Sequence, residues 1–539
     1  MKNSHTAYYR YIVWGIIALI VLFVVALRLR LLSMPLERDE GEFAYMGQLM
    51  LRGIPPYQMA YNMKLPGIYA AYALIMAVFG QTASGIHLGL LLVNSATTLL
   101  VFLLAKRLCD TFAGLIAGAS FAVLSINPMV LGPSAHATQF ILLPALGGIL
   151  VLLTAMKSEK THYFFWSGLL LGLSFIMKQQ GIFFIIFSVL YFSIMRFTKT
   201  KTASGRFALQ MRLLLYGAIT PLVVTWVVLY ISGVFETFWF WTVTYASRYG
   251  TQESFTDGLK LLRHQGAKVM GGSPVLWGVS SAGLVVLFLD RRAKTTRLFT
   301  GGFLLFSFLS VCPGLYFREH YFVLMLPAAA ILIGVAMSFL CRCVSRVKAW
   351  PQLQVLITVL FLSAVFSDIY PLREFFFYLP PSQACRYMYG FNPFPESMEI
   401  AQYIKNHTKL SDRIAVFGSE PQIYFYSQRL SATGYVYTYP LMEHHPYVSR
   451  MQQAMIKEIE QTKPAYLVVV NIPTSWAARR NSDRMVFNWM QGYIKNYTLE
   501  GVIDIISMTQ TICRWNKEAF SYTPQTDNVM YVLKRNAPA

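Results

Sequence analysis

The stretch Glu37-Arg38-Asp39-Glu40-Gly41-Glu42-Phe43-Ala44-Tyr45 holds four acids in six residues, and Lys64-Leu65-Pro66-Gly67 follows about twenty residues later. An apolar run, Tyr11 to Leu27, comes directly before it. Local structure accounts for part of this pattern. Asp39 is placed to cap a short helix, and Glu42, three residues on, completes a capping box. Phe43, Met46 and Met50 then form an apolar stripe at helical spacing that would lie flat on a membrane. That reading leaves Glu40 and Lys64 without a role. A carboxylate beside an ammonium at the mouth of an apolar run suits proton abstraction next to a departing anion.

Other candidates also sit at the ends of apolar runs. Lys178 lies in Met177-Lys178-Gln179-Gln180-Gly181, at a turn between two of them. Snorkelling to the interface is its bland explanation, since a lysine at mid-membrane costs roughly 2.5–3.5 kcal/mol. Arg318 and His320 lie in Tyr316-Phe317-Arg318-Glu319-His320-Tyr321, where Glu319 is expected to neutralise Arg318. His136 follows Gly132-Pro133-Ser134-Ala135; a lone histidine there is more often structural than a ligand. Tyr61, just before Lys64, joins Glu42 and these residues in the substrate-binding set.

The elements that position these residues follow from composition. The chain has 539 residues, 55% hydrophobic and only 13% charged, which fits a polytopic membrane protein. Its formal charge of +21 does not point to nucleic acid, because the basic residues sit between apolar runs. Spans are expected near 11–31, 86–105, 112–128, 138–156, 163–178, 181–195, 213–232, 274–290, 298–313, 320–340 and 351–367, about eleven in all. Basic clusters follow the even-numbered ones: Lys106-Arg107, Lys157 with Lys160, Arg196 to Arg212, Arg291 to Arg297, and Arg342 to Lys348. Lys2 and Arg10 precede the first. All fall on one side if the N-terminus is cytoplasmic. Ile68–Gly80 is too short to cross and reads as an interfacial or re-entrant helix. Arg28 and Arg30 stand where small residues should precede a signal cleavage, so the first run is expected to stay as a span.

Three parts are then expected outside: loop 33–85, loop 233–273, and everything after about Ser367. The second loop is rich in aromatics, which suits both the headgroup layer and a sugar site. After Tyr370 the composition turns globular. Helices are expected at Met398–Asn406, Gln422–Ser427, Met451–Gln461 and Met485–Tyr497, with strands at Arg413–Phe417, Ala465–Val470 and Met530–Lys534, hence a small α/β domain. Ser419 is expected to cap the helix that follows it. Tyr435, Tyr437 and Tyr439 alternate as on one strand face. Of six scattered cysteines, Cys385 and Cys513 flank this domain and could pair in an oxidising compartment. The domain division is 1–370 and 371–539.

An active face outside a cell membrane has no nucleotide-activated donor. The natural donor is a sugar on a polyprenyl phosphate, with the phosphate as leaving group. One carboxylate takes the acceptor's proton and cations hold the phosphate, giving inversion.

The chain resembles membrane glycosyltransferases of the GT-C fold, in particular the bacterial enzymes grouped with protein O-mannosyltransferases and the aminoarabinose transferase of lipid A. Asp39-Glu40-Gly41-Glu42-Phe43-Ala44, Lys64-Leu65-Pro66-Gly67, Lys106-Arg107, Gly168…Gly172…Lys178 and Arg318…Tyr321…Pro327 carry the resemblance, over residues 10–340. It implies an all-α membrane domain of about eleven helices, Asp39 as catalytic base with Glu40 second, and Lys64 on the lipid phosphate. The acceptor it implies is a lipid, protein or glycan. The location it implies is a bacterial inner membrane with the C-terminal domain extracytoplasmic. Lys-Leu-Pro-Gly departs from the family's Lys-Pro-Pro-Leu, and His136 and Gln139 stand where relatives carry a basic residue and an acid. Without that acid a two-carboxylate metal site is weakened, and a divalent metal is left open. Two other classes stay open: a transporter or flippase of a lipid-linked glycan, and an assembly protein with an outer partner-binding domain.

Overall fold

The structure is a computed structural model that describes residues 2–158, 160–199, 205–290, 294–345 and 350–537. Lys201, Arg291, Arg292, Arg346 and Lys348 lie outside the described residues. Each of the eleven expected spans is a helix. By length and apolarity, seven helices among the described residues can cross a membrane, or eight if the bent pair Phe255–Gly271 and Pro274–Leu289, at 109°, is counted as one. Thr111–Leu124, His162–Met177 and Thr296–Val311 are shorter apolar helices. A 14- to 16-residue helix rises only about 21–24 Å, less than the hydrocarbon core. The chain is a multi-pass membrane protein, but length alone does not reproduce the count of eleven.

The basic helix ends meet at one end of the bundle. Helices α4 (Ala83–Leu108) and α6 (Ala137–Ser158) are tied there, as Arg107 donates to Leu153 O at 2.5 Å and to Thr154 Oγ1 at 2.7 Å. Arg342 pairs with Asp290 at 2.7 Å and Asp110 at 3.6 Å. The acid loop and the C-terminal sheet lie together, since Arg38 contacts Ser419 and Glu420 directly.

Glycines let α7 (His162–Met177) and α9 (Gly205–Ile231) approach closely. A Cβ on Gly168 would stand 2.0 Å from Leu214 O, one on Gly172 2.3 Å from Ala218 O, and one on Gly217 2.1 Å from Phe165 O. With no hydrophobic drive inside lipid, this backbone contact holds the pair. Gly217→Val is therefore expected to separate α7 from α9. The check is the yield of monodisperse protein in detergent, which should fall severalfold; an unchanged yield and melting temperature would refute the packing argument.

The acid loop is helix α2 (Arg38–Leu51), and its cap differs from the expected one. Glu37 is the N-cap: its carboxylate accepts from Glu40 N, and Glu40 accepts from Glu37 N, at 2.9 and 3.1 Å. The box lies two residues earlier than the pair Asp39 and Glu42, which frees both of these from capping. Nor does α2 lie flat on a membrane. Phe43 and Met46 are 1% exposed. They are covered by α3 (Gly67–Phe79) on one side, and the C-terminal helix Gln422–Ser427 covers the other side of α2. Gly41 makes that second contact possible, since a Cβ there would meet Gln422 at 2.6 Å. Helix α3 rises about 20 Å, too short to cross, and leaves Leu74 and Val78 exposed.

The C-terminal unit is a six-stranded sheet in the order β2-β1-β3-β6-β4-β5. Strands β1 (Arg413–Phe417), β2 (Leu430–Ser431) and β3 (Tyr466–Asn471) are parallel, and β4 (Tyr497–Ile505), β5 (Thr511–Trp515) and β6 (Val529–Arg535) join antiparallel. The expected strands at 413–417, 465–470 and 530–534 are present; β2, β4 and β5 were not foreseen. Gly501 breaks the pattern of β4, where a register shift between Leu499 and Gly501 seats the Trp515 ring. The helix from Met485 ends at Tyr493, with a 3₁₀ turn to Asn496.

Two further expectations fail in this unit, and an open cysteine pairing is settled. Ser419 caps no helix; its Oγ lies 2.9 Å from Thr438 Oγ1. Tyr435, Tyr437 and Tyr439 form no strand, the stretch being irregular until a helical turn begins at Tyr439. Cys385 and Cys513 are free: Cys385 is buried beside Pro35 O, and Cys513 lies on Glu399.

Candidate active site

A narrow cleft opens where α2, the 233–273 loop, the 313–325 segment and the C-terminal unit meet. Asp39 faces it from the first turn of α2. Its Oδ1 lies 3.4 Å from Lys64 Nζ and accepts from Tyr437 OH at 3.2 Å. Its Oδ2 lies 4.0 Å from His136 Nδ1. Lys64 also stands 3.8 Å from Glu42, and its ammonium is 4.9 Å from the Phe43 ring centre. Glu42 is fully buried and accepts from Asn62 at 2.6 Å and Tyr69 at 2.9 Å.

Lys178 and Arg318 complete the cationic lining. Lys178 Nζ is 4.2 Å from the Tyr321 ring centre, and Arg318 donates to Tyr249 OH at 3.5 Å. Glu319 is not the partner of Arg318. It pairs with Lys268 at 2.7 Å, which leaves the guanidinium to the cleft. His320 stacks on His136 with ring centres 4.1 Å apart.

Two predicted residues point elsewhere. Glu40 is 0% exposed and turned inward. His87 Nε2 lies 3.0 Å from it and Ala135 N donates to it at 2.6 Å, so it braces α2 against the bundle. Tyr61 stacks on Trp241 in an adjoining aromatic cleft, and its OH donates to Glu458 at 3.4 Å.

The C-terminal unit supplies Tyr437, Tyr439, Pro440 and Glu443 to the cleft, and the 233–273 loop supplies Tyr245 and Tyr249. The residue-by-residue reading missed Glu443 entirely. The three-tyrosine run just before it was the one available signal.

Electrostatics follow from this crowding. Burial alone would raise Asp39, but Lys64 foremost, with Arg318 and Lys178, outweighs it and holds the carboxyl well below its ordinary range. Burial, assisted by Lys64, brings Lys178 down to about 7. Burial pushes Glu42 up to about 7 against the pull of Lys64. His136 falls to about 4, chiefly by burial, and is neutral.

Asp39, His136 and His320 place one ligand atom each within 4.8 Å of one another. His136 Nδ1 is buried without a hydrogen bond. One carboxylate with two imidazoles suits a zinc-type ion better than magnesium or calcium. These residues fit such an ion, with Asp39 turning Oδ2 to the imidazoles and Oδ1 to Lys64.

Residues 64–231 match the family described as dolichyl-phosphate-mannose-protein mannosyltransferase. A search of curated proteins finds no match. Among solved structures, ArnT from Cupriavidus metallidurans bound to undecaprenyl phosphate is similar with a TM-score of 0.58 at 15% identity, covering 96% of this chain and 98% of its own. The oligosaccharyltransferase AglB from Archaeoglobus fulgidus, in complex with an inhibitory peptide and a dolichol-phosphate, gives 0.55 at 12%, covering 95% and 75%. The arabinofuranosyltransferase AftD from Mycobacteria gives 0.52 at 13%, covering 97% and 41%. The fold is the GT-C fold of membrane glycosyltransferases. Within that class the chain resembles the O-mannosyltransferase and ArnT enzymes, and it is a glycosyltransferase.

Proposed function

We propose that this protein transfers a sugar, with inversion, from a polyprenyl-phosphate donor to a hydroxyl or amine acceptor at the extracytoplasmic face of a bacterial inner membrane. The observation that carries the reading is Asp39 facing Lys64 in a cleft also lined by Lys178 and Arg318. Asp39 takes the acceptor's proton as the acceptor atom bonds to the sugar's anomeric carbon. The bond from that carbon to the phosphate oxygen breaks, and the released phosphate is held by the cations. In the free site those same cations make Asp39 a weak base. A bound phosphate diverts them, so the carboxylate gains basicity when the donor is in place. A zinc-type ion held by Asp39, His136 and His320 would add Lewis-acid stabilisation of the phosphate.

The bound lipids of the ArnT and AglB structures support a lipid-linked donor. The phase of the basic clusters supports an extracytoplasmic site. A transporter calls for ionisable groups along a path through the bundle, whereas here the basic residues gather at the ends of the apolar runs. The deciding experiment incubates purified protein with defined polyprenyl-phosphate sugars and membrane extract and reads the product's anomeric configuration. Inverted product is expected; retained configuration, or no transfer from any such donor, would overturn the proposal.

Lys178 gives this reading a pH signature. Only its protonated form holds phosphate, and at about 7 in the free site it loses that proton as pH rises. Above pH 7, donor KM should climb by up to about tenfold per pH unit. Lys178→Arg stays charged throughout and should flatten the climb. The same slope in the arginine variant would assign the titration to another group.

A further inference from the structure

The donor reading, on which this inference rests, assigns side chains to the phosphate but none to the sugar. The cleft carries a second chemistry besides its cations. Glu443, from the C-terminal unit, lines it together with Tyr245, Tyr249 and Tyr437. Its hydrogen bonds come from neutral groups, Tyr245 OH and Gln252 Nε2, the second at 3.1 Å. Both fall on Oε2. Among the described residues no donor reaches Oε1 and no cation stands at ion-pair distance, although Arg479 and Arg318 act on this carboxylate from further off. Gln252 is itself tied back, since Tyr316 OH donates to it at 3.5 Å. A carboxylate fixed at one oxygen and open at the other is a hydrogen-bond acceptor waiting for donors.

We propose that Glu443, held by Tyr245 and Gln252, reads the donor's sugar, accepting hydrogen bonds from ring hydroxyls and rejecting sugars that carry a carboxylate of their own. The ligand this cleft fits is bipolar. Its phosphate goes to Lys64, Lys178 and Arg318, and its uncharged, hydroxyl-bearing ring goes to Glu443. A uronic acid would set two carboxylates against each other in a confined site, and like-charge juxtaposition there is strongly unfavourable. The sugar is thus selected by a residue outside the membrane bundle.

The test uses the full-length protein in detergent and three probes: bare polyprenyl phosphate, the same lipid carrying a neutral hexose, and the same lipid carrying the matching uronic acid. The wild type should bind the neutral hexose lipid more tightly than the bare lipid and the uronic acid lipid more weakly than the neutral one. In Glu443→Gln the neutral-over-uronic ratio should fall about tenfold, with affinity for bare lipid unchanged. Tyr245→Phe keeps the carboxylate but removes one tether, and should lose part of the ratio; it also decides the matter if the first variant does not fold. An unchanged ratio in both variants, or equal weakening of bare and sugar-bearing lipid, would overturn the proposal. Failure of the wild type to bind bare polyprenyl phosphate would instead overturn the donor reading, and the sugar assignment with it.

Discussion

Asp39→Asn is expected to slow sugar transfer by at least about a hundredfold, the usual scale for removing a general base. Asparagine keeps the size of the side chain and an oxygen to accept from Tyr437 OH, 3.2 Å away in the native site. What it loses is the proton acceptor and the negative charge. Lys64 then answers only to Glu42, at 3.8 Å. With one anion fewer beside the phosphate position, donor affinity should hold or improve. The expected pattern is a collapsed kcat with no rise in donor Kd, both measured on one preparation with native-like expression. Full activity would remove Asp39 from its role. Equal loss of binding and rate would mean that the substitution had disturbed the cleft instead.

Arg38→Met should produce the largest loss of stability. Arg38 is the clasp between the acid helix and the C-terminal unit. It donates to Ser419 O at 2.6 Å, Tyr439 OH at 2.9 Å, Asn392 Oδ1 at 3.1 Å and Glu420 at 2.7 Å. Glu420 is 0% exposed, and Gln422 at 2.7 Å is its other hydrogen-bond donor. Removing the guanidinium strands a buried carboxylate, at a cost of about 3–5 kcal/mol. Activity should fall too, because the clasp holds Asp39, one residue along, against the wall that carries Tyr437. The double change Arg38→Met with Glu420→Gln removes the stranded charge and should recover much of the melting temperature. A double variant as unstable as the single one would show that the ion pair is not the source of the loss.

How much of this was legible in the chain depends on the range of the contact. The eleven helices, the basic ends that meet through Arg107 and Arg342, and the strands at β1, β3 and β6 follow from periodicity and charge spacing. These act within one element, and a local pattern suffices to read them. The pairing of Asp39 with Lys64 was legible as well, because both belong to the one segment, 33–85, between the first two apolar spans. Glu40 was misread for a local reason: Glu37 is the N-cap of the helix, so the capping box consumes Glu40 and turns it inward. The possible pairing of Cys385 with Cys513, left open by the sequence, is absent because the two side chains face different neighbours, which spacing along the chain does not encode.

What the amino-acid order determined on its own is therefore a membrane bundle with an acid and an ammonium at one rim. Only the tertiary structure decided what completes that rim. Tyr437 reaches Asp39 across 398 positions, and Glu420 reaches Arg38 across 382. His136 and His320 meet face to face from the ends of different helices. Hydrophobic periodicity fixes which face of each segment is buried, but it carries no information about which distant segment covers that face. That is settled only when the sheet domain closes over the acid helix and shapes the cleft between them.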